Sequence, residues 1–246
     1  NPSEYSLNIK TGNSATLDRG LSPTQQVAFD TDPVTGAYRF TQPTVMTCDA
    51  NSYFHIENNA DLYIRNGSTL ELMNGSKLEL GSGARVHVEN GSTLKIDDGA
   101  ELKIFQGGYV EVEEGGTLIV ENVTDATKGI QFGGGNPNAK VVIRGNLVYS
   151  NGADMEHHGN GYYHFAGNGK LTLNSGSVIN LVGNNINEKM LEMEAQVTVD
   201  GYAATLSTGK IEVHNDSWLK IKNGSVSVSN VNVAGVNIPA VNSKGL

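Results

Sequence analysis

The chain has 246 residues, 30 of them glycine, and carries 26 acidic against 17 basic side chains for a formal net charge of −9. Such a surface repels phosphate backbones and anionic lipid, which argues against nucleic-acid and membrane-surface binding. No stretch approaches the roughly 18 consecutive apolar residues of a spanning helix, so no membrane insertion is expected, and a single cysteine, Cys48, excludes a disulfide within the chain.

Residues 1–50 are irregular. Tyr5–Ile9, Gln26–Asp30 and Tyr38–Phe40 are short strand candidates. The stretch is expected to form an irregular N-terminal coil or cap, because the end repeat of a stacked array must shield the last apolar layer. Cys48 is expected to be a small buried residue of the first coils. Asp30-Thr-Asp-Pro-Val-Thr-Gly36 places two carboxylates two apart ahead of a glycine, as a calcium loop does. The later ligands and the closing acid of that loop are missing, so an acidic turn is the expectation.

From Asn51 to Asn122 one octad repeats nine times, and seven of the nine begin with glycine: Gly67, Gly75, Gly83, Gly91, Gly99, Gly107 and Gly115. Positions 4 and 6 are apolar throughout, from Phe54 and Ile56 to Leu118 and Val120, while positions 3, 5 and 7 are mostly polar or charged. Alternation with period two predicts a strand with one face buried. Position 2 is small, with Ala60, Ala84 and Ala100 among its residues, as suits an inward site beside a bend. Positions 8 and 1 read Asn-Gly at 66–67, 74–75 and 90–91, and Asp-Gly at 98–99, residues that tolerate positive φ. A hairpin meander also uses Asn-Gly turns. An unchanging motif fits a solenoid better, each octad forming one side of a coil.

Charge pairing then bears on coil length. One octad stacked on the next would set Glu71 on Glu79 and Lys95 on Lys103, and like charges directly opposite destabilise. Three octads per coil pair Asp61 with Arg85, Glu71 with Lys95, Arg65 with Glu89, Lys77 with Glu101 and Glu79 with Lys103, and leave Glu89/Glu113 and Asp97/Glu121 as unfavourable neighbours. Two octads per coil also match charges, through Asp61/Lys77 and Arg85/Glu101. Charge leaves 16 and 24 residues open. Core shape favours 24, because three sides enclose a filled prism. The expected fold is an all-β, right-handed parallel β-helix, a three-sided solenoid of about 24 residues per coil.

Beyond Asn122 the strict octad fails. Gly133–Pro137 reads as a loop, Val141–Ile143 and Leu147–Val148 as strands, and Gly152–Gly161 as a polar loop before Tyr162–Phe165. The octad logic returns at Lys170–Leu173, Ser177–Leu181, Gln196–Val199, Thr208–Asn215 and Asp216–Asn223. Met190–Glu194 is the one local hint of helix. A single β-helix domain over 1–246 is expected, with an irregular coil or cap at 1–50, regular coils at 51–122 and looser coils at 123–246.

No catalytic, cofactor-binding or metal-binding residue is assigned. Asp154, Glu156, His157, His158 and His164 cluster in or beside one loop, and imidazole and carboxylate are metal-ligand types. Adjacent histidines point to opposite sides of an extended chain, so a solvated loop is the expectation. Outward acids of the octads are dispersed and matched by Lys or Arg, unlike the clustered carboxylates of a polysaccharide-cleaving groove. The outward aromatics are Tyr53, Tyr63, Phe105 and Tyr109.

Leu17-Asp-Arg-Gly-Leu-Ser-Pro-Thr24, Phe40-Thr-Gln-Pro-Thr-Val-Met-Thr-Cys48, and the recurring Asn-Gly-Ser-Thr-Leu and Gly-Ala-Glu-Leu-Lys-Ile together resemble large secreted surface proteins of Bacteroidetes. The resemblance covers residues 15–122 well and the remainder loosely. It implies glycine-punctuated β-helical regions, an extracellular or cell-surface location, a stalk or adhesion role, and the type IX secretion machinery as a partner of the parent protein. It brings no catalytic residues, and the C-terminal sorting domain of such proteins is not recognisable here. The expected function is a structural or adhesive segment, with a surface glycan or another protein as its contact. The alternative is a polysaccharide-binding or polysaccharide-cleaving β-helix.

Overall fold

The computed structural model describes side chains between Val45 and Thr172, except at 49, 51, 66, 124, 126, 134–137, 151, 152, 154–160 and 170; outside that span it describes the backbone of the strands named below. Every element so described is a strand. Five precede the octads: β1 (Ser6–Ile9), β2 (Ser14–Leu17), β3 (Phe29–Thr31), β4 (Tyr38–Phe40) and β5 (Val45–Cys48). The octads form β6 (Tyr53–Ile56), β7 (Asp61–Ile64), β8 (Thr69–Leu72), β9 (Lys77–Leu80), β10 (Arg85–Val88), β11 (Thr93–Ile96), β12 (Glu101–Ile104), β13 (Tyr109–Val112) and β14 (Thr117–Glu121). There follow β15 (Gly129–Phe132), β16 (Lys140–Ile143), β17 (Asn146–Ser150), β18 (Asp154–Glu156), β19 (Tyr162–Gly167), β20 (Lys170–Leu173) and β21 (Val178–Leu181). The last three are β22 (Lys189–Val213), β23 (Trp218–Val233) and β24 (Val236–Lys244).

Each octad strand pairs in parallel with the strand three octads on. Leu70 lies on Leu94 and Leu94 on Leu118; Leu78 lies on Leu102, and Leu62 on Val86. The coil therefore holds 24 residues, and the 16-residue alternative falls. Three sheets run along the stack, the first through β1-β6-β9-β12-β15, the second through β2-β7-β10-β13-β16-β19 and the third through β5-β8-β11-β14-β17-β20. The chain is a three-sided parallel β-helix.

The burial pattern of every octad strand alternates, and positions 4 and 6 make up the dry core, with Leu94, Ile96, Leu102 and Ile104 at zero exposure. Position 2 is buried as expected, through Ala60, Ser68, Ser76, Ala84, Ser92 and Ala100. The corners explain the glycines. The amide of position 2 donates to the carbonyl of position 7, as Ser92 does to Glu89 at 2.9 Å, and position 1 has φ between 69° and 80° in all seven glycine octads. Asn74, Asn90 and Asp98, at position 8, keep negative φ. These are type II turns, which need the left-handed region at one residue only; the hairpin type I′ needs it at two. Where an octad lacks glycine, Asn59 takes the same role at φ 58°.

The N-terminal stretch combines a true coil with a cap. β1, β2 and β5 pair in parallel with β6, β7 and β8 and so form one more turn. Between β2 and β5 the chain inserts β4, parallel to β2, and β3, antiparallel to β4, which extend the second sheet past that turn. Cys48 is buried under this end, beside Leu72 in register.

Beyond the octads the first sheet ends at β15, the third continues through β17 to β20, and the second runs through β16 and β19 to β22, which also pairs with β21 and, through it, reaches β18; bulkier groups fill the interior. Phe132, Tyr149, Tyr163 and Phe165 are all buried, with the Tyr149 and Tyr163 hydroxyls 3.4 Å apart and Phe132 edge-on to Tyr163. Two local readings change. Met190–Glu194 is strand, because β22 is held in register by β19. Asp154–Glu156 is strand too, paired with β21. β22 is one uninterrupted strand: residues 191–195 pair with β19, and 205–208 pair with β21. The coil tightens here: Gln196 pairs with Trp218, 22 residues on, and Thr205 with Ser225, 20 on.

Candidate functional site

Outward positions 3, 5 and 7 form three long surfaces, and register decides which side chains meet on them. On the second face Arg85 grips Asp61 on the coil below through two bonds, from Nε to Oδ1 and from Nη2 to Oδ2, the latter at 2.7 Å. Arg65 reaches Glu89 at 2.8 Å, and Arg144 Nε donates to Glu111 at 3.1 Å. The His87 ring lies on the Tyr63 ring, with Tyr109 edge-on above it, and the Arg65 guanidinium sits 4.9 Å from the Tyr63 centroid. His87 Nδ1 stands 3.7 Å from Glu113 and 3.8 Å from Glu111, beyond hydrogen-bond reach.

On the third face Lys95 Nζ donates to Glu71 at 2.9 Å and lies 2.8 Å from Glu121 on the coil above, beside the column Thr69–Thr93–Thr117. This bridge neutralises Glu121, which charge counting had set against Asp97. On the first face Tyr53 Oη donates to Glu79 at 2.8 Å, and Lys77 reaches Glu79 along its own strand at 2.5 Å. Lys77 is opposite Glu101 in register, as expected, but its short ion pair is the local one. Lys103 lies over the Phe105 ring at 5.2 Å.

The acids on these faces differ in electrostatic setting. Burial alone would raise Glu79, but hydrogen bonds from Lys77 and Tyr53 outweigh it and hold its carboxyl below the usual range. Glu113 is pushed up, first by burial and then by the charge of Glu89. Tyr53 rises to about 12, through burial and its bond to Glu79.

Of the residues singled out in the sequence, His164 sits in β19, half-buried and opposite Val142. Asp154 and Glu156 sit in β18, with their side chains outside the described residues, as are His157 and His158 altogether. Asp30 is in β3, and 32–36 lie outside the described residues. Among the described residues no group of three His, Cys, Asp or Glu is placed to hold a metal ion. The Tyr63–His87–Tyr109 cluster was not read from the sequence, although Tyr63 and His87 stand 24 apart and the octad places both at position 5. Comparison with protein-family models, with curated proteins and with solved structures finds no match.

Proposed function

We propose that this chain is a structural or adhesive β-helical segment of a secreted or cell-surface protein, a stalk whose long sides make contact with a surface glycan or another protein. The supporting observation is where the outward charges go. Asp61, Glu71, Glu79, Glu89, Glu111 and Glu121 are each engaged by a lysine or arginine, most of them on a neighbouring coil. Charge arranged that way links coil to coil, each partly exposed bridge adding roughly 0–1 kcal/mol, as suits a segment under tension. On the resemblance to Bacteroidetes surface proteins, the parent protein would be exported through the type IX system.

Pulling the chain from its two ends tests the mechanical half of this reading. Each 24-residue coil should release about 80 Å of extended chain, in successive steps. A single collapse at low force would sink it. A glycan array with the intact chain tests the contact half.

One observation favours the second reading, a polysaccharide-cleaving β-helix. Glu113 combines a raised carboxyl with two neighbouring acids, Glu89 and Glu111, on the face that carries Tyr63 and Tyr109. A carboxyl held above its usual range beside other carboxylates is a feature glycoside hydrolysis uses. Release of reducing ends from acidic polysaccharide, lost in Glu113→Gln, would establish it and displace the structural reading.

A further inference from the structure

On the second face, the outward positions of octads 59–66, 83–90 and 107–114 carry the acids Asp61, Glu89, Glu111 and Glu113. Arg85 holds Asp61, Arg65 holds Glu89 and Arg144 holds Glu111. Glu113 meets no lysine or arginine among the described residues. The basic group beside its carboxylate is the His87 imidazole, with Nδ1 3.7 Å away. An imidazole is a counter-charge only when both its nitrogens carry a proton.

The setting of His87 suits it to that part. Its side chain is 13% exposed, with the ring held on Tyr63 of the coil below and Tyr109 edge-on above. Nε2 is buried without a hydrogen-bond partner, and Nδ1 stops short of both Glu111 and Glu113. Neither nitrogen of the neutral ring is therefore bonded among the described residues. Once charged, the ring has an N–H at Nδ1, the nitrogen that faces acceptors. Glu111 is already held by Arg144, whereas Glu113, 40% exposed, can swing in. Closing the gap from 3.7 Å to about 2.8 Å makes a charge-assisted bond.

The other charges around the ring cancel in pairs. The coil below contributes Asp61, Tyr63 and Arg65, the ring's own coil Arg85 and Glu89, and the coil above Tyr109, Glu111 and Glu113. With Arg85 on Asp61, Arg65 on Glu89 and Arg144 of β16 on Glu111, the charge left over is that of Glu113. Burial and then Glu89 push its carboxyl up, and His87 is the largest opposing influence. The charged ring also gains a cation–π contact with the Tyr63 face beneath it, 4.6 Å between centroids.

We propose that His87 is a proton-operated clasp between two coils: when the ring takes a proton from solvent, Nδ1–H donates to Glu113 and ties β10 to β13, and when the proton leaves, the tie is lost. The bond exists with the imidazole charged and not with it neutral, so it stabilises in mild acid and disappears as pH rises.

The test uses the full chain in a double-mutant cycle of His87→Phe, which keeps a ring on Tyr63 but cannot titrate, with Glu113→Gln. Urea unfolding is read at pH 6 and pH 8, on either side of the ordinary imidazole value of about 6.5. The cycle cancels the other histidines and the effect of Glu113 on its other neighbours. At pH 6 the coupling should favour the folded state by at least about twofold in the unfolding equilibrium constant, the scale of a partly exposed ion pair; at pH 8 it should vanish. The same cycle with Glu111→Gln should change less between the two pH values. In the unmodified chain at pH 6, NMR should show an imidazole Nδ1–H protected from solvent exchange, and Glu113→Gln should remove it. Equal coupling at both pH values overturns the proposal, as does coupling below twofold at pH 6 or a pH-dependent coupling carried by Glu111. Absence of the protected Nδ1–H in the unmodified chain overturns it without recourse to His87→Phe. None of these outcomes depends on what the long sides of the stack bind.

Discussion

The His87 ring lies face to face on Tyr63 one coil below it, with centroids 4.6 Å apart and planes 9° apart. The rings therefore direct their faces along the stack and their edges outward, and a flat sugar would find edges where it needs a face. The cluster reads as a fastening between coils. A double-mutant cycle with Tyr63→Ala and His87→Ala should give a coupling of about 0.5–1.5 kcal/mol in urea denaturation. A coupling near zero would mean the rings are merely adjacent.

Leu94 is sandwiched between Leu70 and Leu118 at zero exposure. Backbone ladders hold the coils above and below at fixed spacing, so the site has little freedom to collapse. Leu94→Ala should cost about 3–5 kcal/mol, the upper part of the range for such truncations, read as a lowered denaturation midpoint. Lys95→Met, on the next residue but facing out, should cost less than that, since it removes a partly exposed bridge.

Two glycines of similar backbone angle should respond differently to alanine. Gly91 (φ 74°) has nothing within 3.8 Å of a would-be Cβ, so Gly91→Ala meets only the left-handed strain, about 1–2 kcal/mol. At Gly115 (φ 80°) the Cβ would come 2.2 Å from Asn90 Oδ1. Gly115→Ala should therefore be the more destabilising, and Asn90→Ala in the same chain should restore most of the difference. Thermal denaturation of the four chains decides it.

Stability should vary with pH in opposite senses at two glutamates. The folded state lowers Glu79, so its contribution is present above the unfolded carboxylate range and is lost as pH falls through the folded value. Glu113 is raised, so its contribution is present in acid and lost as pH rises through the folded value. At neutral pH Glu79→Gln should lower the urea midpoint and Glu113→Gln should raise it, and both differences should fade in acid. In alkali, Tyr53, Tyr149 and Tyr163 are all raised from 10.0. Stability should hold to about pH 10 and fall above it as the unfolded chain ionises first, followed by tyrosinate absorbance.

How far the sequence reached depends on how local the cause was. The octad exposes both the strand period and the corner, so the core of Phe54 to Val120 and the left-handed glycines were legible. Coil length was not settled by charge, because Asp61 finds a cation at either spacing; it took the shape of the core to prefer 24. Pairs that needed only register, such as Asp61–Arg85 and Arg65–Glu89, were legible. Lys77 was not, because a flexible four-carbon stem can choose Glu79 on its own strand over Glu101 on the next coil. Nor was Met190–Glu194, whose residues lack β-branching and favour helix in isolation, and which is strand only because β19 lies alongside. The cluster at Asp154–His158 was grouped by composition, and composition cannot show that Asp154 and Glu156 belong to a paired strand.

The insertion of β3 and β4 has a consequence for how the molecule comes into being. Ser6 must find Tyr53, 47 residues away, whereas Lys77 has only to find Glu101, 24 away. Doubling the span raises the closure penalty by only about 0.6 kcal/mol, too little to weaken the finished end but enough to make it late. On dilution from denaturant, where every span is free at once, the middle octads would therefore wind first and β1 would close onto β6 after them.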